Sequence, residues 1–392
     1  MRVALLMNFV APYRVPLFER LQDLVGELQV MISTPMESDR AWVPNWGSLD
    51  VVVQRNVTLR PTTTDLFGFR RNLQVHIPYD TLPRLLRYRP DVVISAELGP
   101  RTLQALAYKL LRPRTPFVVW CLLSEHSERG WGRVRQAARR AIMRRADAVL
   151  VNGESGARYI ASFGVPDGRI VRINQPVDVA RFAAVPRTRP DGAVSRLLHV
   201  GFLTERKGVV PFAERLIGWA RRNPSRTLEI WWLGDGAQRH ALEELAWPDN
   251  LRPVFLGNKP YEEVPDIYAQ CDLLVFPTLL DEWGLVVNEA MAAGLPVLGS
   301  MYSQAVEELV AEGETGWVFD PMDDASAESA LDRALSAAPA LLAEMRTQAR
   351  QRIAGLTPDT AARRIADAVR LLAGTRQPEQ AGKGAGTLEV QP

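Results

Sequence analysis

The sequence predicts an α/β protein with two doubly wound parallel sheets. Strand-like apolar runs alternate with helical patterns along the chain, which is typical of parallel sheets covered by helices on both faces. The chain has 392 residues, more than one hydrophobic core usually organises, so we expect two domains. Its 47% hydrophobic and 23% charged residues are ordinary for a globular protein and argue against a disordered or fibrous chain.

The predicted strands fall into two sets. The first contains "VALLMNF", "LQVMIS", "DVVISAE", "FVVWCLL" and "AVLVNG", and the second contains "RLLHVGF", "LEIWWLG", "LRPVFLG", "DLLVFP" and "LPVLGS". The stretch from Asp178 to Val194 is rich in Pro, Arg and Gly, and we place the linker there, at residues 181–194. This division predicts Rossmann-like domains over residues 1–180 and 195–356.

The end of the chain has helix signals of its own. Thr357 suits an N-cap, Pro358 suits the first helical position and Gly374 suits a stop, which predicts a helix over 357–374. The remaining residues, 375–392, lack a core-forming pattern and are predicted to be disordered.

Targeting and redox signals point to a cytoplasmic protein. No apolar run approaches the ~20 residues of a membrane span, and the run from Val3 to Met7 is too short for a signal peptide. Cys121 and Cys271 lie in strand-like runs, as expected of reduced core thiols.

Charge is distributed unevenly. Met1–Pro190 holds 28 Arg and Lys against 16 Asp and Glu, a net charge of +12, which leaves −10 for the rest of a chain whose total is +2. The segment "GRVRQAARRAIMRRADA" combines a helical apolar period with many arginines. Two interpretations remain open for this helix: a solvated face, or a cationic surface that meets anionic lipid or a phosphorylated acceptor.

Ligands of doubly wound sheets bind beyond the carboxyl ends of the strands. After "RLLHV", Gly201 allows close backbone approach, and Arg206 and Lys207 offer cations to an anion. The next strand is followed by the glycine turn that begins at Gly234. After "LRPVFL", Gly257 and Asn258 offer backbone amides to a planar ligand edge.

The fourth such loop opens the stretch "DEWGLVVNEAMAAGLPV". A helix that starts at about Gly284 would present free N–H groups to a diphosphate. Glu289 lies on that helix within reach of a ribose, and Asp281 lies in the loop within reach of a sugar. Carboxylates accept strong hydrogen bonds from sugar hydroxyls. Glu282, Trp283 and Leu285 complete the predicted donor site.

The segment "DEWGLVVNE" resembles the signature of the retaining glycosyltransferases of glycosyltransferase family 4, or glycosyl transferases group 1. "PYRVPLFERL", "RRADAVLVNGESGARYIASFGVPDGRIVRINQPVD" and "EGETGWVFDP" resemble the family too, so the resemblance spans nearly the whole chain. It implies the GT-B architecture: two Rossmann-like domains facing across a cleft, an acceptor-binding first domain, a nucleotide-sugar-binding second domain, and a last helix that crosses back to the first. The implied reaction transfers a sugar to an acceptor hydroxyl with retention of anomeric configuration.

Three features depart from the family pattern. Asp281 stands where Glu is commoner, with Glu282 where Gly is frequent, so either carboxylate could contact the donor. Phe202 replaces a phosphate-binding Arg of many relatives, which leaves Lys207 as the main cation, helped by Arg206. "NFVAPYRVP" lacks the usual Gly-Gly of the first loop, so acceptor contacts cannot be transferred.

His126, in "CLLSEHSERGW", is the candidate histidine of the active site, because family members often place a His in this part of the acceptor domain. Glu125 and Glu97 are weaker candidates. A structural role for His126 is the alternative interpretation. With Lys207 and Asp281, His126 forms the predicted catalytic set.

The sequence therefore predicts a hexosyl- or HexNAc-transferase that needs no cofactor or metal and uses a UDP- or GDP-linked sugar as substrate. No Asp-X-Asp pair follows a strand, so cations and the helix start would stabilise the diphosphate. We expect a lipid-linked saccharide or polysaccharide precursor as acceptor, and a cytoplasmic protein peripheral to the inner face of the membrane.

Two other function classes remain. One is a nucleotide-sugar epimerase of the same architecture. The other is a noncatalytic nucleic-acid-binding protein, which the basic first half would suit, although its basic residues lack interleaved aromatics. A dinucleotide-dependent dehydrogenase is disfavoured because "LLMNFVAPYR" lacks G-x-G-x-x-G.

Overall fold

The computed structural model describes residues 1–37, 43–64, 70–72, 74–125, 133–190 and 192–374. Within them the chain divides into two compact units: Met1–Gln175 together with the segment that begins at Pro358, and Pro176–Thr357. Residues 375–392, which are predicted to be disordered, lie outside the described ranges.

The first unit is built on a parallel sheet. Its strands and helices, in chain order, are β1 Arg2–Met7, α1 Val15–Val25, β2 Glu27–Ile32, β3 Asp50–Val53, β4 Asn56–Leu59, β5 Thr62–Thr64, β6 Arg70–Asn72, β7 Val75–Pro78, α2 Thr81–Tyr88, β8 Val92–Ala96, α3 Pro100–Leu111, β9 Phe117–Cys121, α4 Arg133–Arg145, β10 Ala148–Val151, α5 Glu154–Ala161 and β11 Ile170–Arg172. The described strands of the main sheet have the order β11-β10-β9-β8-β1-β2-β3, while β4 with β7 and β5 with β6 form small antiparallel pairs.

Strand β1 shows why this sheet is buried on both faces. Val3, Leu5 and Met7 lie in the core cluster on one face, and Ala4 and Leu6 lie in the cluster on the other. The uninterrupted apolar run of β1 therefore fills two cores at once, as expected of a central parallel strand.

The last described helix, α14 (Pro358–Gly374), belongs to the first unit. Ala362, Ile365 and Val369 of α14 are buried in the same core cluster as Leu17 of α1, which follows from their helical spacing. At the rim, Arg20 Nε donates to Asp359 Oδ1 over 2.5 Å. Burial of the apolar stripe holds the helix, because an exposed ion pair adds at most about 1 kcal/mol.

The second unit contains another parallel sheet. Its elements are α6 Val179–Ala183, β12 Arg196–Val200, α7 Val209–Arg222, β13 Leu228–Leu233, α8 Arg239–Glu243, β14 Leu251–Gly257, α9 Val264–Ala269, β15 Leu273–Phe276, α10 Leu285–Ala293, β16 Val297–Ser300, α11 Gln304–Leu309, β17 Gly316–Phe319, α12 Asp324–Leu335 and α13 Pro339–Ile353. The strand order is β14-β13-β12-β15-β16-β17.

In this second sheet the strand order reverses at β12. Leu198 of β12 pairs with Trp231 of β13 on one side and with Leu274 of β15 on the other. The junction of β12 and β15 is thus a topological switch point, where doubly wound sheets bind their ligands. The predicted fold class, two Rossmann-like parallel sheets, is confirmed.

The segment predicted as a linker lies in the second unit. Arg187 Nη2 donates to Asp272 Oδ1 over 2.6 Å, and Arg189 Nε donates to the same oxygen over 3.2 Å. Burial opposes ionisation of Asp272, but Arg187 and the N–H groups of Ser195 and Arg196 hold its pKa below the ordinary value. Composition alone gave no sign of this anchoring, because Asp272 is distant in sequence.

Candidate active site

The four loops predicted to bind a ligand follow β12, β13, β14 and β15, which are neighbours in the second sheet. Since all four strands are parallel, their carboxyl ends lie along one edge. The predicted loops therefore lie side by side along that edge, which includes the switch point between β12 and β15.

Glycines let the first three of these loops approach closely. Gly234 has a φ of +132°, and a Cβ there would lie 2.0 Å from the carbonyl oxygen of Gly201. The Gly201 N–H donates to Leu233 O over 2.9 Å, and the Gly234 N–H donates to Gly257 O over 2.9 Å. Any larger side chain at Gly234 would separate the loops.

Lys207 and Asp281 form an ion pair in which Lys207 Nζ donates to Asp281 Oδ2. Their side chains are only 10% and 14% exposed. Lys207 lies at the end of a 3₁₀ turn, Glu205–Lys207, directly before α7, and its ammonium lies 5.2 Å from the centroid of the Phe276 ring. This is the most buried charge pair of the predicted donor loops.

Burial and pairing act in opposite directions on these two groups. Burial lowers the pKa of the Lys207 ammonium, although Asp281 opposes the shift. Burial would raise the pKa of the Asp281 carboxyl, but Lys207 and Arg206 outweigh burial and hold that pKa below its usual range. Asp281 is therefore a carboxylate at neutral pH.

Arg206 and Glu282 form a second, looser pair. Arg206 Nη1 lies 3.5 Å from Glu282 Oε2 and donates to Leu280 O over 3.1 Å. Glu282 is more exposed than Asp281, at 37% against 14% of the side chain. The consecutive acids of the motif thus pair with consecutive basic residues.

Helix α10 begins at Leu285, with Gly284 as its N-cap at a φ of +100°. A Cβ on Gly284 would lie 2.7 Å from the Phe276 ring and 2.8 Å from Ser303 Oγ, so glycine is required here. The predicted helix start agrees with this position.

Trp283, predicted to belong to the donor site, has its side chain in the core, and its contact with the donor stays a prediction. Its side chain is 2% exposed, and its indole N–H donates to Asn288 Oδ1 over 2.9 Å. Ser303 Oγ donates to the Trp283 carbonyl over 2.5 Å, and the Ala305 N–H donates to it over 2.9 Å. Trp283 therefore fixes the loop from the core, whereas Leu285 beside it is half-buried.

Glu289 is buried, with 6% of its surface exposed. The Tyr268 hydroxyl donates to Glu289 Oε2 over 3.0 Å. Burial raises the pKa of Glu289 to about 7, against the opposing effects of Tyr268 and Arg181. A buried carboxyl group with such a raised pKa, on the helix that follows a strand-end loop, is a candidate for a functional role.

Two residues beside the site were not predicted. Tyr268 comes from α9, and no local pattern around it signals a contact with Glu289. His199 is fully buried, with its ring 5.3 Å from that of Trp232, and burial together with Lys207 lowers its pKa to about 3. It is therefore a neutral residue in the electrostatic neighbourhood of Lys207.

The candidates of the first unit have separate positions. His126 lies outside the described residues, so its role stays a prediction. Glu125 pairs with Arg158, whose Nε donates to Glu125 Oε1 over 3.0 Å. Glu97, which follows β8 with a φ of +68°, accepts a hydrogen bond from Asn8 Nδ2 over 2.7 Å.

Among the described residues, no group of three or more His, Cys, Asp and Glu could hold a metal ion. None of the helices formed by these residues is long and apolar enough to cross a bilayer.

Two family models match the chain. Glycosyl transferases group 1 matches residues 187–352, and Glycosyltransferase Family 4 matches residues 29–181. The first contains the complete set of second-unit loops described above.

Relatives and solved structures agree with these models. The chain is 30% identical over 275 residues to glycogen synthase of Mycobacterium tuberculosis, a match that covers 68% of this chain and 65% of the relative. The chain thus spans just under two thirds of that protein.

Two solved structures share the fold. The lipopolysaccharide outer core galactosyltransferase WaaB matches with a TM-score of 0.68 and 15% identity, over 95% of this chain and 99% of WaaB. Anabaena HepE in complex with UDP-glucose matches with a TM-score of 0.65 and 15% identity, over 95% of this chain and all of HepE (100%). The family models and the fold together support a glycosyltransferase of the GT-B fold and the family 4 type.

Proposed function

We propose that this protein transfers a sugar from a UDP- or GDP-linked donor to an acceptor hydroxyl, with retention of anomeric configuration. The observation that carries the proposal is the buried Lys207 at the switch point. Lys207 lies in the loop after β12, and α10 begins after the loop that follows the neighbouring strand, β15. Helix starts and buried cations together suit a diphosphate. The complex of the structural relative HepE with UDP-glucose supports the same donor class.

Each part of the donor has a candidate partner. Lys207 and Arg206 would hold the diphosphate, together with the amides at the start of α10. Glu289 would accept hydrogen bonds from the ribose, and the amides near Gly257 and Asn258 would meet the base. Asp281 would accept a hydrogen bond from the transferred sugar. No cofactor is proposed, since the nucleotide-sugar is a substrate.

The reaction then depends on charge stabilisation and positioning. The bond between the anomeric carbon and the diphosphate oxygen breaks, and the acceptor oxygen bonds to that carbon from the same face. The acceptor proton passes to the leaving diphosphate. Because negative charge grows on the diphosphate as the sugar departs, a cation already in position lowers the barrier without a metal ion in this proposal.

A donor panel tests this function. We expect one or more UDP- or GDP-sugars to raise the melting temperature by about 5 °C at saturating concentration, because a ligand at 100 times its Kd adds ~2.7 kcal/mol. The same sugars should be hydrolysed slowly when water replaces the acceptor. A panel in which no nucleotide-sugar shifts the melting temperature would contradict the proposal.

The epimerase alternative predicts a different result from the same panel. An epimerase would exchange solvent deuterium into the sugar, or invert a sugar centre, without an acceptor. A transferase would give free sugar and nucleoside diphosphate only. Mass spectrometry of the recovered sugar separates the two.

For the acceptor, we propose a lipid-linked saccharide or polysaccharide precursor at the inner face of the cell membrane, bound by the first unit. The support is the positive first half and the exposed arginines of α4, Arg140, Arg144 and Arg145. Arg139 of the same helix is buried and lies over Tyr159, with 5.9 Å from its Cζ to the ring centroid, so it belongs to the packing. The protein would be cytoplasmic and peripheral.

Vesicle sedimentation tests the membrane part. The chain should sediment with anionic vesicles at low salt, less so at high salt, and not with neutral vesicles. The triple variant R140Q/R144Q/R145Q should lose most of this binding. A control that removes three exposed charges of the second unit, R222Q/R252Q/K259Q, should keep it. Equal recovery in the supernatant with both lipids would refute membrane binding.

A further inference from the structure

The backbone fixes the carboxylate of Asp281 in place. The Asp281 N–H donates to Tyr302 O over 3.2 Å, and the Trp283 N–H donates to Asp281 Oδ1 over 3.3 Å. Trp283 is itself held by the core, through Asn288 and Ser303. These contacts hold the Asp281 backbone and bind both carboxylate oxygens, Oδ1 to the Trp283 N–H and Oδ2 to Lys207.

Lys207 is anchored equally well. Its N–H donates to Thr204 O over 2.9 Å, and the Leu279 N–H donates to Arg206 O over 2.9 Å. The latter bond ties the turn of Lys207 to the chain that leads to Asp281. A diphosphate bound by this ammonium would therefore lie close to the Asp281 carboxylate, with both ends of the ion pair fixed.

We infer that Asp281 makes the site discriminate between the nucleotide-sugar and the nucleoside diphosphate that remains after transfer. This inference rests on the proposed function, because it assigns the diphosphate to Lys207. Asp281 attracts the donor through a sugar hydroxyl and repels the free diphosphate, which offers no hydroxyl there. The residue would thus favour substrate binding and product release.

Charge explains the direction of the effect. A diphosphate with a free end carries about one more negative charge at neutral pH than a diphosphate ester, since its last ionisation has a pKa ≈ 6. Repulsion by a buried carboxylate a few ångströms away grows with that charge. The donor gains a charge-assisted hydrogen bond from the same carboxylate. Repulsion and hydrogen bonding therefore favour the same ligand.

Glu282 offers the comparison within the same motif. It is also an acid beside a basic residue, but it is more exposed, and its pair with Arg206 is 3.5 Å long. Water screens such a pair. Neutralising Glu282 should therefore change diphosphate affinity much less than neutralising Asp281.

Calorimetric titration tests the inference. UDP, GDP and ADP are titrated into the full-length chain, followed by the glucose-linked form of the best binder. In Asp281→Asn we expect the nucleoside diphosphate to bind at least about tenfold tighter, and the nucleotide-sugar to gain clearly less. Glu282→Gln should gain less than Asp281→Asn, and Glu328→Gln, an exposed change on α12 outside the donor loops, should change diphosphate affinity less than threefold. Asp281→Glu, which keeps the charge, should show no gain.

The variants also separate discrimination from a structural role. Because Asp281→Asn leaves Lys207 unpaired and could unfold the chain, circular dichroism is recorded, and Asp281→Ser serves as a second neutral variant. If a folded neutral variant binds the diphosphate no tighter than the parent, the inference is wrong while the proposed function stands. If neither the parent nor a folded neutral variant binds any nucleoside diphosphate or nucleotide-sugar, the proposed function fails and the inference fails with it.

Discussion

Replacement of Lys207 by methionine is expected to lower kcat/KM for the donor by at least roughly 30-fold, because removal of one side of a desolvated ion pair costs ~2–5 kcal/mol and each ~1.4 kcal/mol is a factor of ten. Lys207 is 8% exposed, so water cannot replace its charge. Negative charge grows on the diphosphate as the sugar leaves, and part of the loss should therefore appear in kcat. Steady-state kinetics with the best donor of the panel measure both constants.

The buried partner complicates this experiment in a predictable way. Lys207→Met leaves the Asp281 carboxylate without its counter-charge, which should lower the free energy of unfolding by ~3–5 kcal/mol. The double variant K207M/D281N should recover part of that stability and none of the activity. Lys207→Arg, which keeps the charge, should recover part of the activity. These variants separate loss of fold from loss of the cation.

The same Lys-to-Met substitution at an exposed position, Lys259, controls for nonspecific effects of losing a lysine. Lys259 pairs loosely with Glu263, with 3.7 Å between Nζ and Oε2, and its side chain is 38% exposed. Lys259→Met should leave both kinetic constants within twofold. If Lys207→Met, folded by circular dichroism, stays within threefold of the parent in both constants, the diphosphate is held by other groups.

The fold was largely predictable because its signals are local. A run such as "VALLMNF" fills both faces of a central strand, and only a covered parallel sheet buries it. The start of α10 was predictable for a related reason: Gly284 must adopt a positive φ against the Phe276 ring. In each case the residue type itself carries the structural requirement.

The contacts of the site were much less predictable. Lys207 and Asp281 are 74 residues apart and Tyr268 and Glu289 are 21 apart, so only the sheet order brings each pair together. The motif also gave no means to separate ligand contacts from packing. Trp283, whose contact with the donor stays a prediction, packs in the core and hydrogen-bonds to Asn288 there. The tie between Arg187 and Asp272 likewise depends on tertiary structure.

The second large effect concerns Glu289, whose buried carboxyl has a pKa of about 7. Donor affinity of the parent should rise as pH increases from 5.5 to 8.5, since only the carboxylate accepts two strong hydrogen bonds from ribose hydroxyls. At pH 8.5, Glu289→Gln should bind the donor about 10- to 100-fold more weakly, because a hydrogen bond to a charged group contributes ~1.5–3 kcal/mol. At pH 5.5 the two proteins should differ much less.

Stability should change with pH in the opposite direction. The pKa of Glu289 is raised from its ordinary 4.5 to about 7 on folding, so the native state binds the proton more tightly. The stabilisation is complete below about pH 4.5 and is lost as pH rises through about 7. The free energy of unfolding of the parent should fall over this range by up to ~3 kcal/mol from this group. Because Gln cannot ionise, the free energy of unfolding of Glu289→Gln should not show this decrease.

Two measurements on the same samples therefore test one assignment. Calorimetry gives the donor Kd, and denaturant unfolding gives stability, both at pH 5.5 and 8.5. Titration of the ligand phosphate and of other groups cancels when the parent is compared with Glu289→Gln. Glu263→Gln, an exposed change on the segment before α9, should follow the parent in both. A Glu289→Gln protein that matches the parent in the pH dependence of both affinity and stability would mean that Glu289 neither titrates near neutrality nor holds the ribose. If Glu289→Gln differs from the parent in the pH dependence of stability but not of donor affinity, Glu289 is a buried carboxyl that titrates near neutrality but does not contact the donor.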